Sequence, residues 1–423
     1  MCRPNPANFA AMEYQYHTFP NGLRVVHLQV AGKVAHCGVN IKVGSRNESP
    51  EINGMAHYLE HVLFKGTQKR KAYHILTRLD KVGGDMNAFT TKEETCIYAS
   101  FLTNWYDRAL ELFSDILFHS SFPQKELEKE KEVIIDEINS YNDSPAELIF
   151  DEFDQSLFQG HSLGSNILGT PESVKSFTRE DVLSFVGKNY QPSNMVLSSV
   201  GDIKFEKLIS MVGKYMNLDS ISLPSAIATP LTAYVPNNKE IHRNTFQSHC
   251  VMGNRAYSTF HPQRLAMIFL NNLLGGPSLN SRLNLNIREK YGFCYNLESQ
   301  YVPYSDTGVF CVYMGTDQRY IKRTSSLVSN ELKKLMQNKL SPVQLHSAKT
   351  QFIGQLALMS ESKLGEMLGM GKSVSLINRV ESFDEIVKKV ELISSEQLLE
   401  IANEIFLPEA ISTLLYSPIS NEN

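Results

Sequence analysis

Between residues 54 and 67 the chain reads Gly54-Met55-Ala56-His57-Tyr58-Leu59-Glu60-His61-Val62-Leu63-Phe64-Lys65-Gly66-Thr67. The apolar residues recur at helical spacing, and His57 and His61 are four apart, so both imidazoles leave one helix face a turn apart. Nitrogens placed this way reach a single tetrahedral Zn²⁺ at about 2.0–2.1 Å. Glu60 lies at the edge of that face, where a carboxylate takes a proton from a metal-bound water without occupying the metal itself. A solvated His/Glu face would give the same letters. Met55, Ala56, Leu59, Val62, Leu63 and Phe64 speak against it, because they make the helix largely buried. Two buried histidines beside a carboxylate are costly unless something pairs them.

The order H-x-x-E-H is the inverted form of the zinc-protease helix. A catalytic zinc takes three protein ligands and keeps one position open. The source of the third is the run Glu126-Leu127-Glu128-Lys129-Glu130-Lys131-Glu132-Val133-Ile134-Ile135-Asp136-Glu137. Glu126, Glu128 and Glu132 read as a solvated helix face. Glu130 and Glu137 are seven apart and share one helix stripe, and the apolar Val133-Ile134-Ile135 presses that helix into the core. We assign Glu137 as the third ligand and Glu130 as the acceptor of a ligand histidine N–H. Spacing alone also permits the reverse order.

The 423 residues suit two domains of about 200 each. Hydrophobic residues at 42% and charged residues at 20% describe an ordinary globular chain. With 41 Lys plus Arg against 45 Asp plus Glu, the net charge of −4 argues against nucleic acid as a partner. No run of 18 apolar residues exists, which excludes a membrane span by sequence. Met1-Cys2-Arg3-Pro4-Asn5-Pro6 has no apolar run behind it and does not read as a secretory signal; residues 1–11 read as a tail, with Met12 as an alternative start. The six cysteines are scattered and form no C-x-x-C pair, so they read as buried fillers in a reducing, cytoplasmic protein.

Strand patterns are expected at Gly22–Val30, Ala35–Gly44, Thr95–Leu102 and Met195–Gly201, and again at Glu240–Gly253, Phe293–Val302, Val309–Met314 and Ile411–Tyr416. Helical patterns lie between them, including Asn53–Phe64, Gln124–Tyr141 and a long one over Pro342–Gly371. This mixture predicts an α+β layer with helices covering one sheet face. Periodicity fades over 218–238, which reads as a linker between an N-terminal catalytic domain (12–217) and a C-terminal domain of similar fold (239–423). The two halves echo each other at an offset of 218, which aligns Leu127 with Leu345 and Ser144-Pro145-Ala146-Glu147-Leu148 with Ser362-Lys363-Leu364-Gly365-Glu366. At that offset Glu130 and Glu137 fall on Ala348 and Gln355, so the second domain is expected to hold no metal.

The chain from about Phe19 to Leu415 resembles the pitrilysin/insulinase family of zinc peptidases, in its short-chain branch with the processing-peptidase-like bacterial enzymes. The signature is Val43-Gly44-Ser45-Arg46, then Asn53 to His61, closing with Phe64-Lys65-Gly66-Thr67. The distance of 76 from His61 to Glu137 matches the family's spacing to its third ligand, and Glu130 with Glu137 matches its pair of acids. The resemblance implies two similar domains, each a mostly antiparallel sheet covered by helices, forming a half-shell. It makes Gly83-Gly84-Asp85-Met86-Asn87-Ala88-Phe89-Thr90 the approach to an active-site edge strand, with Asn87, Ala88 and Phe89 binding peptide by strand addition. Asn87 reads equally as a turn residue satisfying local amides. Gly275-Gly276-Pro277-Ser278-Leu279-Asn280-Ser281-Arg282-Leu283 resembles the family's glycine-rich loop; with no G-K-[ST] after it, it is no phosphate loop. Arg288 and Tyr295 match an Arg and Tyr seven apart that reach the substrate carbonyl from the domain facing the zinc. There Arg288 would hold the peptide backbone and the Tyr295 hydroxyl would donate to the developing oxyanion. His161, in a matching loop, reads as a local hydrogen-bonder.

The implied protein is a zinc-dependent endopeptidase with one Zn²⁺ per chain. It would cleave short or unfolded peptides in a chamber closed by two subunits, as a homodimer or with an inactive relative. The competing reading is a non-catalytic peptide-binding subunit; members of that kind lose parts of H-x-x-E-H, and none is lost here. A purely structural zinc would need a fourth protein ligand, and the other ten histidines stand at no helix-pair spacing.

Overall fold

A computed structural model of the protein describes residues 13–216 and 230–419, so the expected tail and residues 218–229 of the expected linker lie outside the described residues. The first sheet contains β1 (Tyr14–Thr18), β2 (Arg24–Gln29), β3 (Val34–Ile41), β4 (Asp85–Thr90), β5 (Thr95–Leu102) and β6 (Met195–Gly201), in the order β1-β2-β6-β3-β5-β4. The second contains β7 (Asn238–Arg243), β8 (Ser248–Ala256), β9 (Cys294–Pro303), β10 (Gly308–Thr316) and β11 (Ser412–Pro418), in the order β7-β11-β8-β10-β9. Without β1, the first order maps onto the second strand for strand. The parallel pair even recurs in place, β2 with β6 and β7 with β11, while the other pairs are antiparallel. The chain is α+β with two similar domains.

Both faces of each sheet are covered, where one covered face was expected. The cause shows in β6 and β10, whose every residue is buried, as central strands between two layers must be. In β10 the alternation of side chains sends Val309, Cys311 and Tyr313 to one face and Phe310, Val312 and Met314 to the other. Ile149, Phe153 and Leu157 of helix Pro145–Leu157 cover the first of these faces. Helices Arg264–Gly275 and Ser395–Ile405 cover the second, with Phe269, Leu270 and Ile401. In the first sheet, Met367, Met370 and Val374 of helix Lys363–Ile377 pack on Val26, Leu28, Val196 and Val200. On that sheet's other side Tyr106, opening helix Tyr106–His119, sets its ring edge-on to Phe101 and its hydroxyl 2.9 Å from Ser199 Oγ.

Compactness partitions the chain differently from the expected 12–217 and 239–423, which follow the sequence repeat. Asp136–Asn166 groups with the later residues and Leu358–Ser382 with the earlier ones. The apolar faces just described are the reason: helix Pro145–Leu157 buries its face on the second sheet and helix Lys363–Ile377 on the first.

Two expected elements are each split. Glu240–Gly253 is two strands, because β7 runs parallel to β11 and β8 antiparallel to it, so the chain must reverse between them. The Thr245 hydroxyl helps close that reversal by donating to Gln247 O at 2.7 Å. Pro342–Gly371 is two helices, Pro342–Ser360 and Lys363–Ile377, separated where the Ser362 hydroxyl accepts the Gly365 N–H at 3.1 Å and starts a new helix. Helix Gln124–Asn142 precedes Pro342–Ser360 by 218 positions at both ends, and Pro145–Leu157 begins 218 before Lys363. Cys37, Cys96, Cys250, Cys294 and Cys311 are free and buried. Among the described residues no helix is long and apolar enough to cross a membrane.

Candidate metal centre

Helix Met55–Val62 begins at Gly54, whose φ of +96° lies in the left-handed region and whose Cβ, if it had one, would stand 2.7 Å from Leu168 O. Its first turn is closed by a residue distant from the motif. The buried Glu48 carboxylate accepts the N–H of Ala56 at 2.7 Å, the N–H of Gly54 at 2.8 Å and the Asn53 amide at 3.1 Å. A carboxylate there satisfies helix N–H groups that lack an intrahelical acceptor and sits at the positive end of the helix dipole. Burial pushes the Glu48 carboxyl up to about 7, against the opposing pull of those donors and of Lys92. The buried Tyr58 hydroxyl donates to Leu127 O at 2.8 Å and pins this helix to Gln124–Asn142.

The two helices bring together His57, His61 and Glu137, each offering one ligand atom within 4.8 Å of the others. The division between compact units falls inside the unbroken helix Gln124–Asn142, so Glu137 is carried on the same rod as Leu127 and Glu130. A tetrahedral ion with bonds of about 2.0–2.1 Å spaces its ligand atoms about 3.3 Å apart, which small side-chain movements reach from here. Two imidazoles and one carboxylate are a donor set suited to Zn²⁺ with a fourth position open. Burial, and then the neighbouring His61, pulls His57 down to about 4, which keeps it neutral as a ligand must be.

Glu130 stands behind His61. Its Oε1 is 3.0 Å from His61 Nδ1 and its Oε2 is 2.6 Å from Lys65 Nζ. A carboxylate partner assigns the proton to Nδ1 and leaves the Nε2 lone pair for a metal. Burial would raise the Glu130 carboxyl, but the bonds from His61 and Lys65 outweigh it and hold the group below its ordinary value. Of the two orders that spacing allowed, the geometry puts Glu137 with the imidazoles and Glu130 on His61.

Glu60 is outside the trio. Its Oε2 accepts the Thr90 hydroxyl at 2.6 Å. Thr90 ends β4, the last strand of its sheet, and β4 also carries Asn87, Ala88 and Phe89. Among the described residues these pair only with Tyr98, Ile97 and Cys96 of β5, on one side of the strand. The Asn87 side chain accepts the Ala88 N–H at 2.8 Å, the local role the sequence also allowed. Arg288 lies in the π-helix Asn284–Glu289, and Tyr295 near the start of β9, the matching edge strand of the second sheet. They meet each other, the guanidinium 5.7 Å from the centre of a ring that is 78% exposed. His161 Nδ1 accepts the Leu163 N–H at 3.1 Å and caps a short turn.

Glu48, Lys65 and Thr90 were given no role from the sequence. Glu48 is too far ahead of the helix for a capping box, Lys65 reads as a surface cation, and Thr90 shows only as the end of a quoted segment.

A family model described as Insulinase (Peptidase family M16) matches residues 24–171, and one described as Peptidase M16 inactive domain matches residues 176–352. A Bacillus subtilis protein named uncharacterized zinc protease YmxG is 34% identical over 410 residues, covering 96% of this chain and 98% of its own. A Rickettsia bellii protein named uncharacterized zinc protease is 31% identical over 374 residues, covering 88% and 90%. Among solved structures, a protease from Helicobacter pylori superposes with a TM-score of 0.90 at 23% identity, covering 96% of this chain and all of that one. A peptidase M16 inactive domain from Pseudomonas fluorescens gives 0.87 at 19% identity, covering 97% and 100%; both show likeness of fold. Two adjoining domain matches and relatives aligned nearly end to end lead to one conclusion: the chain belongs to peptidase family M16, the insulinase family.

Proposed function

We propose that the protein is a zinc-dependent endopeptidase acting on short or unfolded peptides, with Glu60 as its general base. The carrying observation is the convergence of His57, His61 and Glu137, with Glu60 on the helix of the two histidines and held there by Thr90. Zinc at such a site lowers the pKa of water toward about 7 and polarises a carbonyl. Glu60 takes the proton of the attacking water and later delivers it to the leaving amine. Extended peptide lies along the open edge of β4 beside Asn87, Ala88 and Phe89, where backbone pairing tolerates varied side chains. Arg288 and Tyr295 of a facing subunit hold the peptide backbone and the developing oxyanion, so the working form is a pair of chains around a chamber, two copies or one copy with an inactive relative. The buried free thiols suit a reducing, cytoplasmic setting. The complete donor set weighs against a non-catalytic partner subunit.

The test is zinc analysis together with hydrolysis of a mixed peptide library by the wild type and Glu60→Gln. Both proteins are expected to hold about one zinc per chain, and only the wild type to cleave. Cleavage by Glu60→Gln at the wild-type rate, or none by the zinc-loaded wild type, overturns the proposal.

A further inference from the structure

The bond from Thr90 to Glu60 joins two parts of the site that the motif treats separately. Thr90 has a single hydroxyl proton. Its other close hydroxyl neighbour, Thr95 Oγ1, is 3.5 Å away and spends its own proton on Val43 O at 2.9 Å. The Thr90 proton therefore goes to Glu60, and 2.6 Å is the length of an O–H···O bond to an ionised carboxylate. The backbone of Thr90 is fixed in register opposite Thr95, so the hydroxyl is presented from a paired strand and not from a loop.

Glu60 sits one residue before His61 and three after His57 on the same helix, yet it is not one of the three residues whose ligand atoms converge. A fourth protein ligand would close the coordination shell and turn a catalytic site into a structural one. We propose that Thr90 is the positioning residue of Glu60: its hydroxyl tethers Oε2, keeps the carboxylate from joining the trio and ties it to the strand along which peptide would lie. This rests on the peptidase reading above. Because the tether springs from β4, ordering of that strand by a docked peptide also orders the proton acceptor. Binding and proton transfer are then linked through one side chain.

The experiment uses the full-length protein as wild type, Thr90→Val, Thr90→Ser and Thr90→Val combined with Glu60→Gln. Thr90→Val, which keeps the shape and loses the donor, is expected to lower kcat by about 10- to 100-fold, with KM within about twofold and zinc retained. Thr90→Ser, which keeps the donor, restores kcat to within about threefold of wild type, and Thr90→Val adds no further loss on Glu60→Gln. Cobalt(II)-loaded protein gives a readout independent of turnover: the visible absorption bands change in Thr90→Val as the freed carboxylate enters the coordination shell, and not in Thr90→Ser. Should valine prevent folding, Thr90→Ala removes the same donor and is read the same way. Wild-type kcat with unchanged cobalt bands in Thr90→Val overturns the proposal, as does a Thr90→Ser enzyme no faster than Thr90→Val. If the wild type cleaves nothing, the peptidase reading falls, and the cobalt spectra still judge the tether.

Discussion

Glu48 carries an acid into a buried position where backbone donors, the Asn53 amide and the buried Lys92 face it, and where burial still lifts its pKa from 4.5 to about 7. The folded state therefore binds a proton that the unfolded chain releases earlier. The contribution of this group to stability is present below about 4.5 and is lost as pH rises through about 7. Thermal unfolding of metal-free protein between pH 4.5 and 8 is expected to show that decline in the wild type and less of it in Glu48→Gln. The variant also loses about 1–2 kcal/mol throughout, because an amide cannot accept all three donors. Equal slopes in the two proteins would mean that Glu48 titrates as an ordinary surface acid. Tyr295 bears on chemistry instead. If its hydroxyl reaches the oxyanion, Tyr295→Phe lowers kcat by about 100-fold and leaves KM nearly unchanged, and peptide kinetics with the loss confined to KM would make it a binding residue. From its strand pattern alone Tyr295 reads as a core residue and Arg288 as a surface cation. The ring is in fact open to solvent and capped by Arg288, an arrangement that alternation cannot encode because Tyr295 lies on an edge strand and its partner comes from the preceding π-helix.

Helix Met55–Val62 is held at its start by backbone geometry. Gly54→Ala places a side chain at φ +96° and against Leu168 O, so a loss of about 1–3 kcal/mol is expected in urea unfolding of metal-free protein, together with lower zinc content. An unchanged midpoint would show that the loop yields freely. On helix Gln124–Asn142, Glu137→Ala should lower zinc content and Asp136→Ala should not; the opposite result would reassign the third ligand. The counterpart helix Pro342–Ser360 has the same length but places Ala348 and Gln355 at the acid positions. Gln355 there accepts the Asn272 amide at 2.9 Å and donates to Ser278 Oγ, a neutral amide contact where the first domain has charge. These long helices were legible because their apolar period persists over many turns. The break at Ser362 was not, since Met359, Leu364 and Met367 continue an apolar run across it and only a hydroxyl cap interrupts the backbone ladder. The reversal between β7 and β8 was hidden in the same way, its strand-like residues continuing on both sides.

For the whole molecule, the α+β class and the doubling could be read from the sequence, because each repeat keeps its strand order and its pair of helices. The metal motif was legible because its chemistry needs fixed residues at fixed spacing. The exchange of helices between the compact units left no trace in local pattern: helix Lys363–Ile377 is apolar in a way that suits either sheet, and only tertiary packing shows that it covers Val26, Leu28, Val196 and Val200. A fragment of residues 13–216 lacks that cover, and also carries helix Pro145–Leu157 without the second sheet, so it is expected to bind hydrophobic dye and aggregate, with added peptide 358–382 lowering the dye signal in part. A fragment that stayed monomeric and dye-free by itself would show the cover to be dispensable.

That borrowed helix also sets a timetable for synthesis. Lys363 follows Gly201, the end of the last strand of the first sheet, by 162 positions. At about 5–20 residues per second, the sheet leaves the ribosome about 8–30 s before its greasy side can be closed. The nascent chain must spend that interval shielded by holding factors or by transient contacts of its own, which makes the translation rate part of how this protein reaches its native state.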